Sequence, residues 1–319
     1  MNKREIGKTG IMVSEISLGC WTLGGDVDSG GMGWHGVSDK DAAEAINYAV
    51  DKGVNHFDNA DVYGNGKAEK MLASALGAKN KQVVIASKVG WNKNEFENAF
   101  DARNIRRQCE QSLKNLKRDR LDIYYFHNCD FGKNDEYLEG AIAEFHKLRS
   151  EGVIKAIGLS GYSAGDFLRL APRIKPDCIQ SWCNIIHPDF VAEGPVSKMM
   201  KEMNITFVAF NPLSRGLLTG KFSRENPPVF DKNDVRETMD EFKPGNFEKL
   251  MDGVDKLKSK FGSGGEALVR AALQYILYHE TAACVIPGFR NLQQVKMNLS
   301  AADKGLSKEE FMYIREAFL

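Results

Sequence analysis

The feature that most restricts this chain is an alternation repeated eight times: short apolar, β-branched runs separated by longer stretches with apolar residues at helical spacing. The strand-like runs cover residues 15–18, 54–58, 83–88, 123–127, 156–160, 178–180, 206–210 and 284–287. Most are apolar on both faces, as strands of a covered parallel sheet are. Between them, Ser38-Asp39-Lys40-Asp41 reads as a capping box that starts a helix, with Ala43, Ile46, Ala49 and Val50 on its buried face. Ile105, Cys109, Leu113 and Leu116 repeat the pattern within 104–116, as do 138–148 and 292–299. Eight strand–helix units predict an α/β fold closed into a (β/α)8 TIM barrel, as a single domain over 1–319. Segments 3–6 and 10–13, around Lys8-Thr9-Gly10, read as a hairpin capping the barrel bottom. The stretch 223–265, rich in Pro, Asn, Asp, Lys and Gly, reads as a long excursion after strand seven and not as a domain boundary.

Composition excludes several function classes. Lys plus Arg and Asp plus Glu are both 43, so the formal net charge is zero. That balance argues against a nucleic-acid or anionic-membrane surface. No run reaches the roughly 20 apolar residues of a membrane helix, and the first residues lack a secretory apolar stretch. The six cysteines include no CxxC pair, so buried thiols in a reducing cytoplasm are expected in place of disulfides or a zinc knot. The expectation is a cytoplasmic protein, monomeric or weakly oligomeric.

Gly31-Met32-Gly33-Trp34-His35-Gly36 matches G-x-G-x-x-G literally. A dinucleotide fingerprint follows an apolar strand and opens a helix directly. Here a polar, glycine-rich stretch precedes it and the helix starts only at Ser38, so it reads as a loop above the barrel.

Barrel enzymes carry their chemistry at the C-terminal ends of the strands. Asp58 ends strand two, with Tyr63 in the loop after it; Lys88 ends strand three and His127 ends strand four. Singly, each has an ordinary structural use as turn, packing or core residue. An ammonium closing an aliphatic strand, however, needs a partner, and Asp58 on the neighbouring strand is the natural one. Together they form an acid site in which Lys88 is expected to lower the Tyr63 pKa while His127 orients a carbonyl oxygen. Hydride addition to that carbonyl requires a cofactor, because no side chain donates hydride. The spacing His56-x-Asp58 also hints at a metal pair, with no further ligand set in the sequence.

At these residues the chain resembles the aldo-keto reductases along nearly its whole length. Phe57-Asp58-Asn59-Ala60-Asp61-Val62-Tyr63-Gly64 with Lys67-Ala68-Glu69, Ala86-Ser87-Lys88-Val89-Gly90, Leu121-Asp122-Ile123-Tyr124 to His127, and 152–160 resemble the family's motifs in order and spacing. Gly19-Cys20-Trp21 and the Gly-Trp loop look most like bacterial members. The resemblance implies catalytic roles for Asp58, Tyr63, Lys88 and His127, and NADP(H) lying across the mouth, with NAD(H) possible. It implies cofactor contacts at Trp21, Asp58, Ser160, Gln180 and Phe210, with Asn184 nearby. Asn211, Pro212, Leu213, Ser214, Gly216 and Lys221 would take the pyrophosphate. Gly288 and Arg290 would take the adenosine phosphate, and Gln294 and Asn298 the adenine. Arg290 is the reason for preferring NADP. Asn59, Gly161 and Cys183 depart from the pattern, the last two where the nicotinamide amide would be held.

The partner implied is a small-molecule aldehyde, ketone or sugar-like carbonyl compound, with Trp21, Trp34, Trp91 and residues 127–130 walling its pocket. Two other readings stay open at this point. One is a cofactor-binding, redox-sensing or partner-binding protein with little turnover; the other is a Schiff-base aldolase using Lys88.

Overall fold

The computed structural model describes residues 1–25, 32–34, 36–230 and 234–318. Ten strands and ten helices are assigned among these residues. β1 (Lys3–Glu5) and β2 (Met12–Ser14) form an antiparallel hairpin. The parallel sheet then runs β3 (Leu18–Gly19), β4 (His56–Asp58), β5 (Val84–Val89), β6 (Leu121–Phe126), β7 (Ile154–Ser160), β8 (Cys178–Trp182), β9 (Thr206–Phe210) and β10 (Ala282–Ile286), each strand paired with the next in sequence. Bridges Ile16↔Val285 and Gly19↔Gly288 join the first strand to the last and close the barrel.

Closure explains why the first strand differs from the expected 15–18. Ser17 N–H donates to Val285 O and Val285 N–H to Glu15 O, so 15–17 pair with β10 while only Leu18 and Gly19 pair with β4. The other seven strands lie where expected, with ends shifted by a few residues.

Helices α1 (Asp39–Asp51), α2 (Lys67–Leu76), α3 (Ala102–Leu116), α4 (Leu138–Ser150), α5 (Ala164–Ile174) and α6 (Pro195–Met203) alternate with the strands. Ser38 accepts from Asp41 N–H at the start of α1, which is one half of the expected capping box. The buried face is Ala42, Ala45, Ile46 and Ala49, however, turned from the expected one so that Ala43 and Val50 are only half-buried.

The excursion after β9 is not structureless. Short 3-10 turns at Val235–Thr238 and Asp240–Phe242 lead into α7 (Asn246–Phe261), then α8 (Gly265–Leu277) returns to β10. Phe247, Met251, Val254 and Leu257 recur at helical spacing and are buried, which the Pro- and Lys-rich composition around them obscured. The chain ends with α9 (Leu292–Leu299) and α10 (Lys308–Ala317). No helix among the described residues is long and apolar enough to cross a membrane, and all six cysteines are free thiols.

The hairpin plugs the barrel bottom. Ile6, Ile11 and Val13 pack in one apolar cluster with Ala86, Ile123, Tyr125 and Val208 from the barrel strands. Arg4 anchors it, donating to Leu277 O at 2.6 Å and Ala282 O at 2.8 Å. Above this plug Tyr125 lies across Gly158, where a Cβ would come within 2.1 Å of Tyr125 Cδ1. Lumen filling therefore requires glycine at 158. Gly158→Val is expected to lower stability by about 1–3 kcal/mol in urea denaturation through overpacking; an unchanged midpoint would show that the ring has room to move.

Candidate active site

Barrel register brings the expected residues together. Asp58 pairs with Ala86, so Lys88, two residues further along β5, lies on the same lumen face one layer higher. Lys88 in turn pairs with Tyr125 on β6, and His127 follows two residues later, its N–H on Val89 O at 2.8 Å.

Lys88 is fully buried and its ammonium has three acceptors. Nζ donates to Asp58 Oδ2 at 2.5 Å, to Asn59 O at 2.7 Å and to Tyr63 Oη at 3.3 Å. The other oxygen of Asp58 accepts from Gln180 Nε2 at 2.8 Å, so this buried carboxylate is held on both sides. Tyr63 reaches the ammonium because its loop folds back over β4. Met32 N–H donates to Val62 O and Gly64 N–H to Met32 O. Gly64 has φ +56° and sits so tightly on Gly24 that a Cβ would fall 2.1 Å from Gly24 O.

The expected effect of Lys88 on Tyr63 is corrected here. Burial and then the Asp58 carboxylate push the phenol well above its ordinary pKa. The reason is geometric: Lys88 spends its charge on the nearer Asp58, leaving little net positive charge at the phenol. Tyr63 is therefore a protonated hydroxyl at neutral pH. Burial, followed by Lys88, holds His127 well below the ordinary histidine value, so its imidazole is neutral. Its ring meets the Tyr63 ring edge-on at 5.8 Å and the half-exposed Trp91 at 6.1 Å. His127 Nδ1 is buried with no hydrogen-bond partner.

Ser160 and Gln180 pair across β7 and β8 on the buried inner surface. Phe210, half-buried at the end of β9, meets Tyr162 edge-on at 5.8 Å. Asn184 lies nearby and braces the loops: its Oδ1 accepts from Ile186 and His187 N–H and its Nδ2 donates to Asn211 O. Gly161 is filled from outside, since a Cβ there would lie 2.8 Å from Cys129 Sγ.

The segment after β9 is a backbone cradle. Asn211, Ser214, Arg215 and Gly216 all have positive φ, and Arg215 N–H donates to Asn211 Oδ1 at 2.8 Å. Pro212 and Leu213 complete the turn. Asn211 Nδ2 and Ser214 Oγ are buried without partners. Lys221 lies over Gly216, with Nζ 2.9 Å from where a Cβ would be. Burial, and then the neighbouring Arg236 and Arg290, lower the Lys221 pKa to about 8. Trp34 lies between the two guanidinium groups, 4.7 Å from Arg236 and 5.2 Å from Arg290, and meets Trp21 edge-on at 5.7 Å. Gln294 Oε1 accepts from Arg290 N–H, and Asn298 Nδ2 donates to Gly288 O, so both brace this corner.

Arg236 and Tyr162 were missed in the sequence. Arg236 stands in the aperiodic excursion, and only the tertiary fold brings it back over Trp34. Tyr162 follows the atypical Gly161 and had no partner to mark it. Gly31 and His35 of the G-x-G-x-x-G match lie outside the described residues; Met32 bridges to Tyr63, as part of a loop. His56 Nδ1 lies 3.0 Å from Ser17 Oγ, and burial lowers its pKa to about 4. Among the described residues no three or more His, Cys, Asp or Glu converge on a point suited to a metal ion.

The family model for the aldo/keto reductase family matches residues 15–318. Aldo-keto reductase str7 of Strobilurus tenacellus is 32% identical, with 98% of this chain and 90% of the relative covered. Aldo-keto reductase yakc [NADP(+)] of Schizosaccharomyces pombe is 29% identical over 98% of this chain and 90% of its own. Among solved structures, aldo-keto reductase AKR11C1 of Bacillus halodurans in its holo form superposes with a TM-score of 0.78 at 25% identity, covering 99% of this chain and 96% of its own. With the family model spanning almost every residue and a relative above 30% identity along its length, this chain belongs to the aldo/keto reductase family.

Proposed function

We propose that this oxidoreductase reduces small aldehydes, ketones or sugar-like carbonyl compounds with NADPH, using Tyr63 as the proton donor. The observation that carries the reading is the position of Lys88 Nζ, buried between Asp58 Oδ2 and Tyr63 Oη. Three further features fit a phosphate-rich nucleotide. Buried Asn211 Nδ2 and Ser214 Oγ lack partners in the positive-φ turn, and the cations Lys221, Arg236 and Arg290 crowd one corner. Among the described residues the acid paired with these cations is Asp234, on Arg236 at 2.6 Å. That surplus of charge, and a relative named for NADP(+), favour the 2′-phosphorylated cofactor over NAD(H).

Residues 211–216 and Lys221 would hold the pyrophosphate, Arg236 and Arg290 the adenosine phosphate, and Phe210 and Ser160 the nicotinamide end. When bound, the cofactor supplies the hydride for the carbonyl carbon. Tyr63 Oη gives its proton to the carbonyl oxygen, so the carbonyl becomes an alcohol. Lys88 stabilises the phenolate charge as it develops, an effect concentrated in the transition state because the resting phenol is neutral. Neutral His127 orients the carbonyl oxygen from the other side. The aromatic side chains Trp21 and Trp91 exclude water from the reacting atoms. The same geometry disfavours a Schiff-base role: an amine with all three N–H groups on acceptors, one a carboxylate at 2.5 Å, is not a free nucleophile.

Two measurements test this reading. Tyr63→Phe is expected to slow carbonyl-dependent NADPH oxidation by about 10²–10⁴-fold while NADPH still quenches tryptophan fluorescence. Undiminished turnover would remove Tyr63 from the role of acid. The second concerns Lys221, half-protonated near pH 8 in the free protein. Phosphate favours its charged form, so NADPH affinity should fall as pH rises from 7 to 9, with proton uptake on binding. Lys221→Met should bind NADPH more weakly at pH 7 and flatten that dependence. An equally steep profile in the variant would assign the proton to another group.

A further inference from the structure

A second concentration of buried polar groups lies behind the loop that carries Tyr63, outside the proposed reaction site. Between α2, α3 and the loops after β4 and β5 is a cavity of about 310 Å³ whose lining is acidic, amide or hydroxyl throughout, with no Lys, Arg or His. Two carboxylates stand in its wall. Glu69 is fully buried; its oxygens accept from Ser87 Oγ at 2.6 Å and Asn115 Nδ2 at 2.8 Å. Asp61, also buried, accepts from Gln108 Nε2 on Oδ2 at 3.0 Å; the Val62 N–H is turned towards this carboxylate, but Oδ1 completes no hydrogen bond. Ser112 Oγ is buried in the same wall and faces Glu69 without completing a hydrogen bond to it.

Among the described residues no neighbouring cation neutralises this pair. The positive groups that act on it are Lys70, on Glu69, and Lys88, on Asp61, and Lys88 is already bound to Asp58. The Tyr124 hydroxyl, buried and unpartnered on β6, is near enough to feel both carboxylates and adds no positive charge. Burial raises both carboxyls, and the charge of Glu69 raises Asp61 further. Without a cation both carboxyls are driven towards their protonated forms, so only a positive occupant would hold the pair ionised, with an oxygen of Asp61 left to receive it.

The donors are all oxygens or amides, with no imidazole or thiolate, which selects a hard ion. Two carboxylates match a double charge. The wall is built from a loop and two helices in irregular array, which suits the adaptable coordination of Ca²⁺ better than the strict octahedron of Mg²⁺. We propose that this cavity is a calcium site, with Asp61 Oδ1 as the direct carboxylate ligand, amide carbonyl and water oxygens completing the shell, and Glu69 supplying the second charge. Its effect is to tie the Tyr63 loop to α3. The site stands independently of the carbonyl-reductase reading, since its test needs neither cofactor nor substrate.

The test is equilibrium dialysis of the chelator-treated full chain against Ca²⁺ at pH 8, with melting curves in CaCl₂, MgCl₂ and choline chloride at equal ionic strength. One Ca²⁺ per chain is expected, with a Kd of about 10⁻⁴–10⁻³ M, the range of weak oxygen sites. At a hundredfold excess over Kd the melting temperature should rise by about 2–5 °C, more than in Mg²⁺. Asp61→Asn should abolish both effects. Should that variant fail to fold, Glu69→Gln serves instead and should weaken binding at least about tenfold, the scale of one lost charge. No bound Ca²⁺ in folded wild type, or equal binding in the folded variants, overturns the proposal. So does a melting temperature that follows pH but not Ca²⁺, which would make a proton the occupant.

Discussion

An ammonium buried at the mouth of a barrel, 2.5 Å from a carboxylate on the adjacent strand, is the contact around which this site is organised. Either ion alone in that position would be costly, since burial without a partner costs several kcal/mol per ion. Each is held by further hydrogen bonds: Asn59 O and Tyr63 Oη on the lysine, Gln180 Nε2 on the aspartate. The pair therefore joins β4, β5 and β8 and fixes where the Tyr63 hydroxyl can lie. The hairpin plug and the Tyr125–Gly158 contact support it from below by filling the lumen beneath it.

This arrangement gives the lysine a different part from the one its proximity suggested. A free ammonium beside a phenol would acidify it. An ammonium already matched by a carboxylate leaves the phenol protonated, and in the proposed reaction it would stabilise only the charge that appears as the proton leaves. For a carbonyl reductase that is the useful direction, because the resting residue must carry the proton that the substrate oxygen receives. The neutral His127 fits the same proposal, in which it would bind an oxygen without competing to protonate it.

Much of this was legible in the sequence, for physical reasons that differ by region. Strands buried on both faces announce themselves by composition, so seven of the eight lay close to their expected positions. The first did not, because 15–17 pair with β10, a closure invisible to local pattern. Lys88 was legible because a charged residue ending an apolar strand demands a partner. Arg236 was not: it comes from a segment without periodicity and reaches Trp34 only through the fold. Helix α7 was hidden by the breakers around it, although Phe247, Met251 and Val254 carry its spacing. Asn184 fastens two loops, a structural use that its sequence context did not show.

The central claim is that Lys88 works through Tyr63. A double-mutant cycle on carbonyl reduction, with Tyr63→Phe, Lys88→Met and the pair at saturating NADPH, tests it most directly. Once the phenol is gone Lys88 has no developing charge to stabilise, so the double variant should be no slower than the slower single variant. Losses that multiply would mean that the two residues act separately, and the account of the site would be wrong.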